Sequence, residues 1–504
     1  MSSPCFRFVV LPCLARGVDS GRAGGREKRR SEVWMNVTER APPNGANRTW
    51  PSAAHKTAGT EDEAMAKTQN WISGITVRGF KSICSEQSLA FRPLTILAGA
   101  NSSGKSSFMQ PLLLLKQTIE SPGDPGALLL DGPNVRFTMA DQLLSHELGP
   151  ECGGEFSIRV ALADDQSVEL LFRREQGKGF DLARMRWQAG KESAVVTPGM
   201  SHDAIVKILP SPWKIMHSEL GKGEAHPLHW TVCRERCFFA FEMASDSELR
   251  RRIRFGPYSV SPSQAFVHQI QRLIHLPGLR GNPRRTYPKT AGGPDFQGTF
   301  DPYVASVIAQ WQGNGGKKQL DELAKALEFM GLTWKVKAEP VDDTQVELKV
   351  GRLPHSRRGG AHDLVSIADV GFGVSQSLPV LVALLAAQPG QLVYLEQPEI
   401  HLHPLAQRRL ASVLCDASDR GVVTVVETHS AILLRELQTF IAKGRLRKET
   451  VAFHWLQRGD QGETIVTTAD LDDDGAYGNW PEDFDDTELE AEQAYLDAVE
   501  LRGA

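Results

Sequence analysis

The chain has 504 residues, of which 41% are hydrophobic and 23% are charged, so it is long enough for several domains with a substantial core. No run of apolar residues approaches the roughly 18 that a membrane helix needs, which leaves a membrane transporter motor without support. Seven scattered cysteines favour reduced thiols in a cytoplasmic protein, and the net charge of −4 combines an acidic end at 470–504 with a mildly basic remainder.

The first 64 residues are rich in Gly, Ser, Arg and Pro and show almost no periodic apolar pattern, which is typical of a disordered segment. The basic run at 26–30 is compatible with a nucleic-acid arm. Met65 is the favoured alternative start, because the ordered pattern begins just after it, at Trp71. We therefore expect residues 1–68 to be a disordered or mis-assigned extension.

Apolar and alternating runs predict a first lobe at 69–190, built from short strands and one helix. The last two of these strands are separated by a polar turn, which suggests an antiparallel layer packed on the lobe. The strands are predicted at 75–77, 88–91, 94–98, 155–162 and 167–172, and a leucine-rich helix at 108–117.

A glycine-rich loop joins the third predicted strand to this helix and has the pattern G-x-x-x-x-G-K-S. The backbone N–H groups of such a loop and the dipole of the helix that follows favour phosphate. Lys105 is expected to reach the β- and γ-phosphates, and the Ser106 hydroxyl to ligate Mg²⁺. The sequence therefore predicts a nucleoside triphosphate site. Its candidate binding residues are Gly99, Asn101, Ser103, Gly104, Lys105, Ser106 and Ser107.

The middle of the chain, 191–345, is predicted to be a mixed insertion with helices at 265–275 and 318–330. A Pro/Gly/Arg-rich loop joins these helices. The sequence has no heptad array, so we expect no long coiled-coil arm. The arginines of this loop are candidates for a phosphate or nucleic-acid contact, or for pairing with surface acids. They are Arg280, Arg284 and Arg285.

A second lobe is predicted at 346–465, where two buried strands, at 391–395 and 422–426, are each followed by charged residues. The carboxyl ends of parallel strands are where a nucleotide site in an open α/β sheet collects its catalytic groups. Before them, a glycine- and serine-rich segment at 366–379 is a second possible phosphate cradle, opening a helix at 378–387. The residues of interest in this lobe are Gly373, Ser375, Gln376, Glu396, Gln397, Glu399, Glu427 and His429.

Together these motifs resemble the ABC/SMC-type ATPases of the OLD and RecF kind, within the broad group of AAA-type ATPases. The segment 370–376 is similar to the signature segment, 392–404 to a Walker B strand running into a Pro-Glu-x-x-Leu-His-Pro box, and 428–430 to the switch-histidine motif. The Glu-Gln-Pro-Glu form and the ending at 480–484 resemble a subgroup of predicted bacterial ATPases with an uncharacterised C-terminal domain, whose relatives include phage-defence ATPases.

The resemblance implies an α/β P-loop ATPase head with an antiparallel β layer, binding ATP and Mg²⁺, with Ser106 and Glu396 at the metal. It also implies a homodimer that forms on ATP binding, in which Gly373, Ser375 and Gln376 of one subunit complete the nucleotide site of the other. The expected output is a signal to DNA or to an effector subunit such as a nuclease, in DNA repair or phage defence.

One position departs from the family pattern. Glu396 takes the place of the acid that holds magnesium through water, but Gln397 takes the place of the acid that polarises the attacking water. A glutamine orients a water but does not accept its proton. Either hydrolysis is slow, or Glu399 or Glu427 supplies the negative charge. We predict slow ATP hydrolysis, with catalytic candidates Glu396, Gln397, Glu399 and His429.

The acidic C-terminal segment, 466–504, superficially resembles the metal-binding acids of a TOPRIM nuclease at Asp472 and Asp474. Too few residues separate His429 from Asp470 for the alternating strands and helices of such a module. A solvated turn or a partner-binding tail is therefore favoured. An ATP-dependent nuclease that uses these acids is the alternative function.

Overall fold

A computed structural model describes most of the chain between residues 70 and 478. The predicted extension at 1–68 and the end of the acidic segment lie outside the described residues. Among the helices it describes, none combines the length and the apolar character needed to cross a membrane. The described ranges are 70–145, 154–177, 179–210, 213–215, 228–245, 259–290, 293, 295–313, 315–353, 355 and 363–478.

The described residues form strands and helices that we number in chain order. The strands are β1 (Ile72–Arg78), β2 (Gln87–Ala90), β3 (Leu94–Gly99), β4 (Glu155–Leu162), β5 (Gln166–Glu175), β6 (Gly179–Ala189), β7 (Glu192–Val196), β8 (Leu228–Glu235), β9 (Phe238–Ser245), β10 (Ser259–Val260), β11 (Ile274–Leu276), β12 (Tyr287–Pro288), β13 (Val336–Pro340), β14 (Gln345–Gly351), β15 (Leu364–Ser366), β16 (Leu392–Glu396), β17 (Val423–Glu427), β18 (Val451–Arg458) and β19 (Thr464–Thr468). The helices are α1 (Lys105–Glu120), α2 (His202–Ile208), α3 (Gln264–Gln271), α4 (Val304–Gly313), α5 (Lys317–Phe329), α6 (Phe372–Ala386), α7 (Pro404–Asp419) and α8 (Ala431–Ala442).

The central sheet has the strand order β11-β16-β17-β3-β18-β19, and every neighbouring pair is parallel except β18 with β19. All six residues of β3 are buried, because a parallel strand is covered on both faces, and this explains its continuous apolar run. The parallel strands end at one edge of the sheet. That edge therefore brings together residues that are hundreds of positions apart in the sequence.

A second sheet, β2-β1-β4-β5-β6-β7, is antiparallel. Along β4, half-exposed and buried residues alternate, as expected for a sheet with one face on the core. On the inner face, Phe156 contacts Phe80 and Phe172, with ring centroids 5.3 and 5.2 Å apart. Helix α1 contributes Phe108 and Leu112 to the same core. These observations confirm the predicted α/β architecture with its antiparallel β layer.

Two smaller sheets follow in the sequence, one inside the predicted mixed insertion and one that extends beyond it into the predicted second lobe. One has the order β10-β9-β8, and the other has β12-β14-β13 with β15 paired to β14. The predicted lobe boundary between 345 and 346 falls at the start of β14, which forms a hairpin with β13. The lobe boundaries themselves stay a prediction.

Two predicted helices have different bounds in the structure. The helix expected at 265–275 ends at Gln271, and residues 274–276 instead form β11, parallel to β16. All three β11 residues are buried, so periodicity alone does not separate a buried strand from a buried helix there. The helix expected at 378–387 begins earlier in the structure, at Phe372. Its start was not visible in the sequence pattern because Gly373 and Pro379, both poor helix formers, lie inside it.

Candidate nucleotide-binding site

The glycine loop runs from the end of β3 to the start of α1. The two glycines of its G-x-x-x-x-G-K-S pattern have backbone angles that favour glycine. Gly99 has φ +140° and Gly104 has φ +102°. A Cβ on Gly99 would collide with the backbone oxygen of Leu456, and a Cβ on Gly104 would collide with the Thr464 side chain. The neighbouring strands β18 and β19 therefore leave no room for a side chain at these two positions, and the loop curves tightly around the N-terminus of α1.

Lys105, the first residue of α1, is buried beneath this arc. Its Nζ donates hydrogen bonds to the backbone oxygens of Gly99 (3.0 Å) and Ala100 (2.7 Å). Burial lowers the pKa of Lys105, while the charges of Glu427 and Glu399 act in the opposite direction. The ammonium group thus lies inside the loop, where an anionic ligand would favour its charged form.

Ser106 faces Glu427, the last residue of β17. The Ser106 hydroxyl lies 2.9 Å from each carboxylate oxygen of Glu427, and the Tyr394 hydroxyl donates to Glu427 Oε2 at 2.9 Å. The Glu427 residue is only 5% exposed. Burial raises the pKa of the Glu427 carboxyl, and so does the charge of Glu396, its register partner on β16. The carboxylate that meets the start of α1 therefore belongs to Glu427.

Glu396 is held on the other side of this pair. His275 Nε2 lies 3.0 Å from Glu396 Oε1, and the Gly278 N–H donates to Oε2 at 3.2 Å. On the other side of the ring, Asn134 Nδ2 lies 3.0 Å from His275 Nδ1. Burial acts to raise the pKa of Glu396, but His275, the Gly278 N–H and the charge of Arg280 together outweigh it, so the pKa is lowered.

These contacts concern the expected metal pair. The sequence assigned Ser106 and Glu396 to the same ion, and in the structure β17 lies between β3 and β16, so Glu427 occupies the position beside Ser106. Glu396 is one strand farther from the loop, beside His275 of β11. The order of the strands therefore places the Glu427 carboxylate against Ser106, and the metal ligands stay a prediction.

Glu399 organises the turn that carries the switch histidine. Its Oε1 accepts hydrogen bonds from the Thr428 hydroxyl (2.7 Å) and from the His429 backbone N–H (2.9 Å). Burial and the nearby charge of Lys105 lower the pKa of His429, while a hydrogen bond to Gly99 acts in the opposite direction. The His429 ring is therefore neutral at physiological pH and contacts the loop.

A cleft of about 450 Å³ opens between the loop and the ends of the strands, a volume within the usual range for small-ligand sites. Gln397 and His429 line it, as do all the loop residues from Asn101 to Ser107. Glu427, which the sequence offered as a source of negative charge, lines the cleft as well. Three lining residues were missed as site residues, although one of them, Arg458, lies at the carboxyl end of a parallel strand, where such residues collect. The three are Lys81, Ser82 and Arg458.

Arg458 and Thr464 hold the backbone of the loop from outside. Arg458 Nε donates to the backbone oxygen of Ser102 at 2.7 Å. The Thr464 hydroxyl donates to the backbone oxygen of Ser103 at 2.9 Å and lies 2.8 Å from the Ser82 hydroxyl. The shape of the loop thus depends on the C-terminal strands as well as on its own glycines.

The signature-like residues lie in the first turns of α6 and are absent from the described lining of this cleft. The Ser375 hydroxyl donates to the backbone oxygen of Phe372 at 3.2 Å, and Gln376 Nε2 donates to the backbone oxygen of Gly281 at 2.9 Å. Phe372 itself is 49% exposed. At the start of α6, Phe372 is therefore exposed and Gly373 half-buried, while Ser375 and Gln376 are buried.

The arginine-rich loop is not uniformly available to a ligand. Arg280 is buried and bonds to backbone oxygens inside the protein. Arg285 forms an exposed ion pair with Asp369. Arg284 is exposed. The Nη1 and Nη2 atoms of Arg280 therefore already donate to internal backbone oxygens, and a phosphate or nucleic-acid contact of this loop stays a prediction.

The described part of the acidic segment forms a turn. Asp472 Oδ1 accepts hydrogen bonds from the backbone N–H groups of Asp474 (3.0 Å) and Ala476 (2.8 Å), and Asp473 pairs with Lys448 at 2.6 Å. Within the described ranges, no group of three His, Cys, Asp or Glu side chains is placed to hold a metal ion. The acidic pattern at 480–484 lies outside those ranges.

A family model matches part of the chain. Residues 288–435 match the model described as "AAA domain, putative AbiEii toxin, Type IV TA system". The matched part contains helix α6, strands β16 and β17, and His429. The glycine loop lies outside the match, but its strand β3 pairs with β17 of the matched part, so residues from both regions line one cleft.

Solved structures of SMC heads align with this chain at low identity and low TM-score. An SMC head bound to the C-winged helix domain of ScpA aligns with a TM-score of 0.42 and 13% identity, over 80% of this chain and 98% of that chain. An SMC head from Thermotoga maritima gives 0.33 and 10%, over 80% and 100%. A head with an extended coiled coil, bound to ScpA from Pyrococcus furiosus, gives 0.39 and 12%, over 80% and 97%. A comparison with curated proteins gives no match.

Proposed function

We propose that this chain binds ATP with Mg²⁺ in the cleft at the glycine loop and hydrolyses the bound ATP slowly. The observation that carries the proposal is the meeting of Ser106 with the Glu427 carboxylate at the N-terminus of α1, beside the buried Lys105. A lysine, a hydroxyl and a carboxylate at a helix N-terminus supply the charges that a metal–triphosphate complex needs.

The oxygen donors at this point suit magnesium. Mg²⁺ prefers hard oxygen ligands and is usually held by one or two protein groups together with phosphate oxygens. We assign the Ser106 hydroxyl and the Glu427 carboxylate as those groups, with the Tyr394 hydroxyl orienting the carboxylate. The bound ion would neutralise charge that develops on the phosphates. Glu396 then acts on the bound ion at longer range, from its position beside His275.

Slow hydrolysis follows from the remaining polar groups. Glu427 is committed to the metal position, and Glu399 to the switch turn. Gln397 lines the cleft and orients a water, but it does not accept the proton that the water loses. We therefore expect a turnover number at or below the low end of the usual range for enzymes, roughly 1 per second.

We further propose that two copies of the chain dimerise when ATP binds. The start of α6 carries the signature-like residues and lies outside the described lining of its own cleft, which supports a role in completing the site of another subunit. Dimerisation would be the signal read by DNA or by an effector subunit such as a nuclease, in DNA repair or phage defence, and we place this activity in the cytoplasm.

The test compares three purified variants with the wild type by phosphate release and by ATP binding. Lys105→Ala should lose ATP binding, and Glu427→Gln should bind ATP but lose hydrolysis. Glu347, a half-exposed glutamate on β14 beside Lys349, provides the matched control, and Glu347→Gln should behave as the wild type. Wild-type hydrolysis by Lys105→Ala would refute the site. Light scattering with and without ATP on Glu427→Gln tests dimerisation.

A further inference from the structure

Arg280 joins two functional segments through backbone hydrogen bonds. Its Nη2 donates to the backbone oxygens of Glu396 (2.8 Å) and Gln397 (3.3 Å), at the end of β16. Its Nη1 donates to the backbone oxygen of Gln376, in the first turns of α6, at 3.1 Å. Only 9% of Arg280 is exposed. A single guanidinium group therefore ties the cleft side of β16 to the signature-like helix.

The same loop makes two more contacts with these segments. Gln376 Nε2 donates to the backbone oxygen of Gly281 at 2.9 Å, and the Gly278 N–H donates to Glu396 Oε2 at 3.2 Å. The loop at 278–281 is thus anchored to α6 on one side and to β16 on the other. A displacement of either element stretches bonds to the same short segment.

Gln397 shows why the anchor matters for the cleft. Its φ is +43°, in the left-handed region that is strained for a non-glycine residue. Its N–H donates to the backbone oxygen of Glu427 at 2.7 Å, and Arg280 binds its backbone oxygen from the other side. These two bonds hold the strained conformation, and in that conformation Gln397 lines the cleft.

The guanidinium group is kept for this position despite a cost. Burial lowers the pKa of Arg280 to about 10, while Glu399, Glu396 and Asp301 act in the opposite direction, so the group stays charged at neutral pH. A planar fork with several donors suits three carbonyl oxygens that lie on two different elements. A charge buried for packing alone would be an unfavourable choice.

We propose that Arg280 is a positioning residue that couples the nucleotide cleft of its own chain to the signature-like segment of the same chain. This inference rests on the proposed function, in which that segment serves the nucleotide of a second copy. A shift of Gln397 on ATP binding moves Arg280, and Arg280 moves the first turns of α6. Each nucleotide site of the dimer thereby senses the other.

Two substitutions separate coupling from binding. Arg280→Met removes all the donors at similar length, and Arg280→Lys keeps a charge without the fork. For Arg280→Met we expect ATP affinity to change less than about threefold, kcat to fall at least about tenfold, and the Hill coefficient to fall from above 1 to about 1. Arg280→Lys should recover part of kcat without the cooperativity.

The matched control is Arg420→Met. Arg420 follows α7 and contacts α6 at the end opposite to the one that Arg280 contacts. Arg420 also donates to two backbone oxygens, those of Leu384 and Asp416, each at 3.1 Å. Its loss should leave kcat and the Hill coefficient within about twofold of the wild type. If Arg280→Met keeps the wild-type kcat and Hill coefficient, or if Arg420→Met loses them equally, the coupling role is refuted.

Hydrogen exchange tests the link without nucleotide. In Arg280→Met, the amides at 372–376 and at 397–400 should both exchange at least about tenfold faster, whereas Arg420→Met should leave both unchanged. Unchanged exchange in Arg280→Met refutes the inference. If Arg280→Met does not fold, Gln376→Met, which removes only the bond to Gly281, takes its place. A wild-type chain that binds no ATP refutes the proposed function, and hydrogen exchange still decides the coupling.

Discussion

The substitution Glu427→Gln separates the role of this acid from that of Glu396. It keeps the shape of the side chain but removes the charge that faces Ser106 and Tyr394. Two charge-assisted hydrogen bonds become neutral ones, a loss of about 1 kcal/mol each, and the metal position loses a charged ligand. A total near 3 kcal/mol in the transition state corresponds to a loss of about 100-fold in kcat.

The same substitution has the opposite effect on the protein without nucleotide. The folded-state pKa of Glu427 is raised by burial and by Glu396, so the ionised carboxylate is disfavoured in the folded chain. The stability that its protonated form supplies at low pH is lost as the pH rises through the ordinary value of 4.5 towards the raised one. Glu427→Gln does not ionise, so its Tm at pH 7.5 should exceed that of the wild type.

Phosphate release and thermal unfolding, each with and without Mg²⁺ and ATP, measure both effects. The expected pattern is a higher Tm without ligand, a smaller rise in Tm on adding Mg²⁺ and ATP, and a kcat lower by about two orders of magnitude. Glu347→Gln controls for the loss of a surface charge. Wild-type kcat in Glu427→Gln, together with a 100-fold loss in Glu396→Gln, would refute the assignment of the metal position to Glu427.

Three further predictions concern the surroundings of the loop. Gly104→Ala should lower the free energy of unfolding and weaken ATP binding. Gly444→Ala, at φ +67° with open space around a Cβ, should be destabilised by backbone strain alone, and chemical denaturation compares the two variants. Glu399→Ala should reduce kcat about tenfold with little change in ATP affinity, because the switch turn loses its acceptor, while Glu399→Gln should retain most activity. The lowered pKa of His429 predicts that stability is lost as the pH falls below the ordinary value of 6.5, so His429→Gln should flatten that loss in urea unfolding between pH 8 and 5.

The phosphate loop could be predicted from the sequence because its chemistry is local. The glycines, Lys105 and Ser106 lie within one short segment, and the backbone of that segment makes the anion site. The strands on either side were equally visible, since a strand buried on both faces is a continuous apolar run. The α/β architecture with its antiparallel layer followed from the same patterns.

The start of α6 and the strand β11 were not predictable in the same way. Gly373 and Pro379 weaken the helix pattern, and only the packing of α6 on the sheet shows that the helix includes them. The buried residues 274–276 continue an apolar helix pattern in the sequence, but in the structure they extend the sheet beside β16. In both cases tertiary packing outweighs local propensity.

The sequence by itself predicted a triphosphate site and the residues that form its loop. Only the tertiary structure decided that Glu427, and not Glu396, lies beside Ser106, and that Arg280 is buried against backbone oxygens of two separate segments. The physical reason is that the order of strands in a sheet and the burial of a long side chain are set by contacts between distant segments. A motif records which side chains are present at a strand end, but the neighbours of that strand decide what each side chain faces.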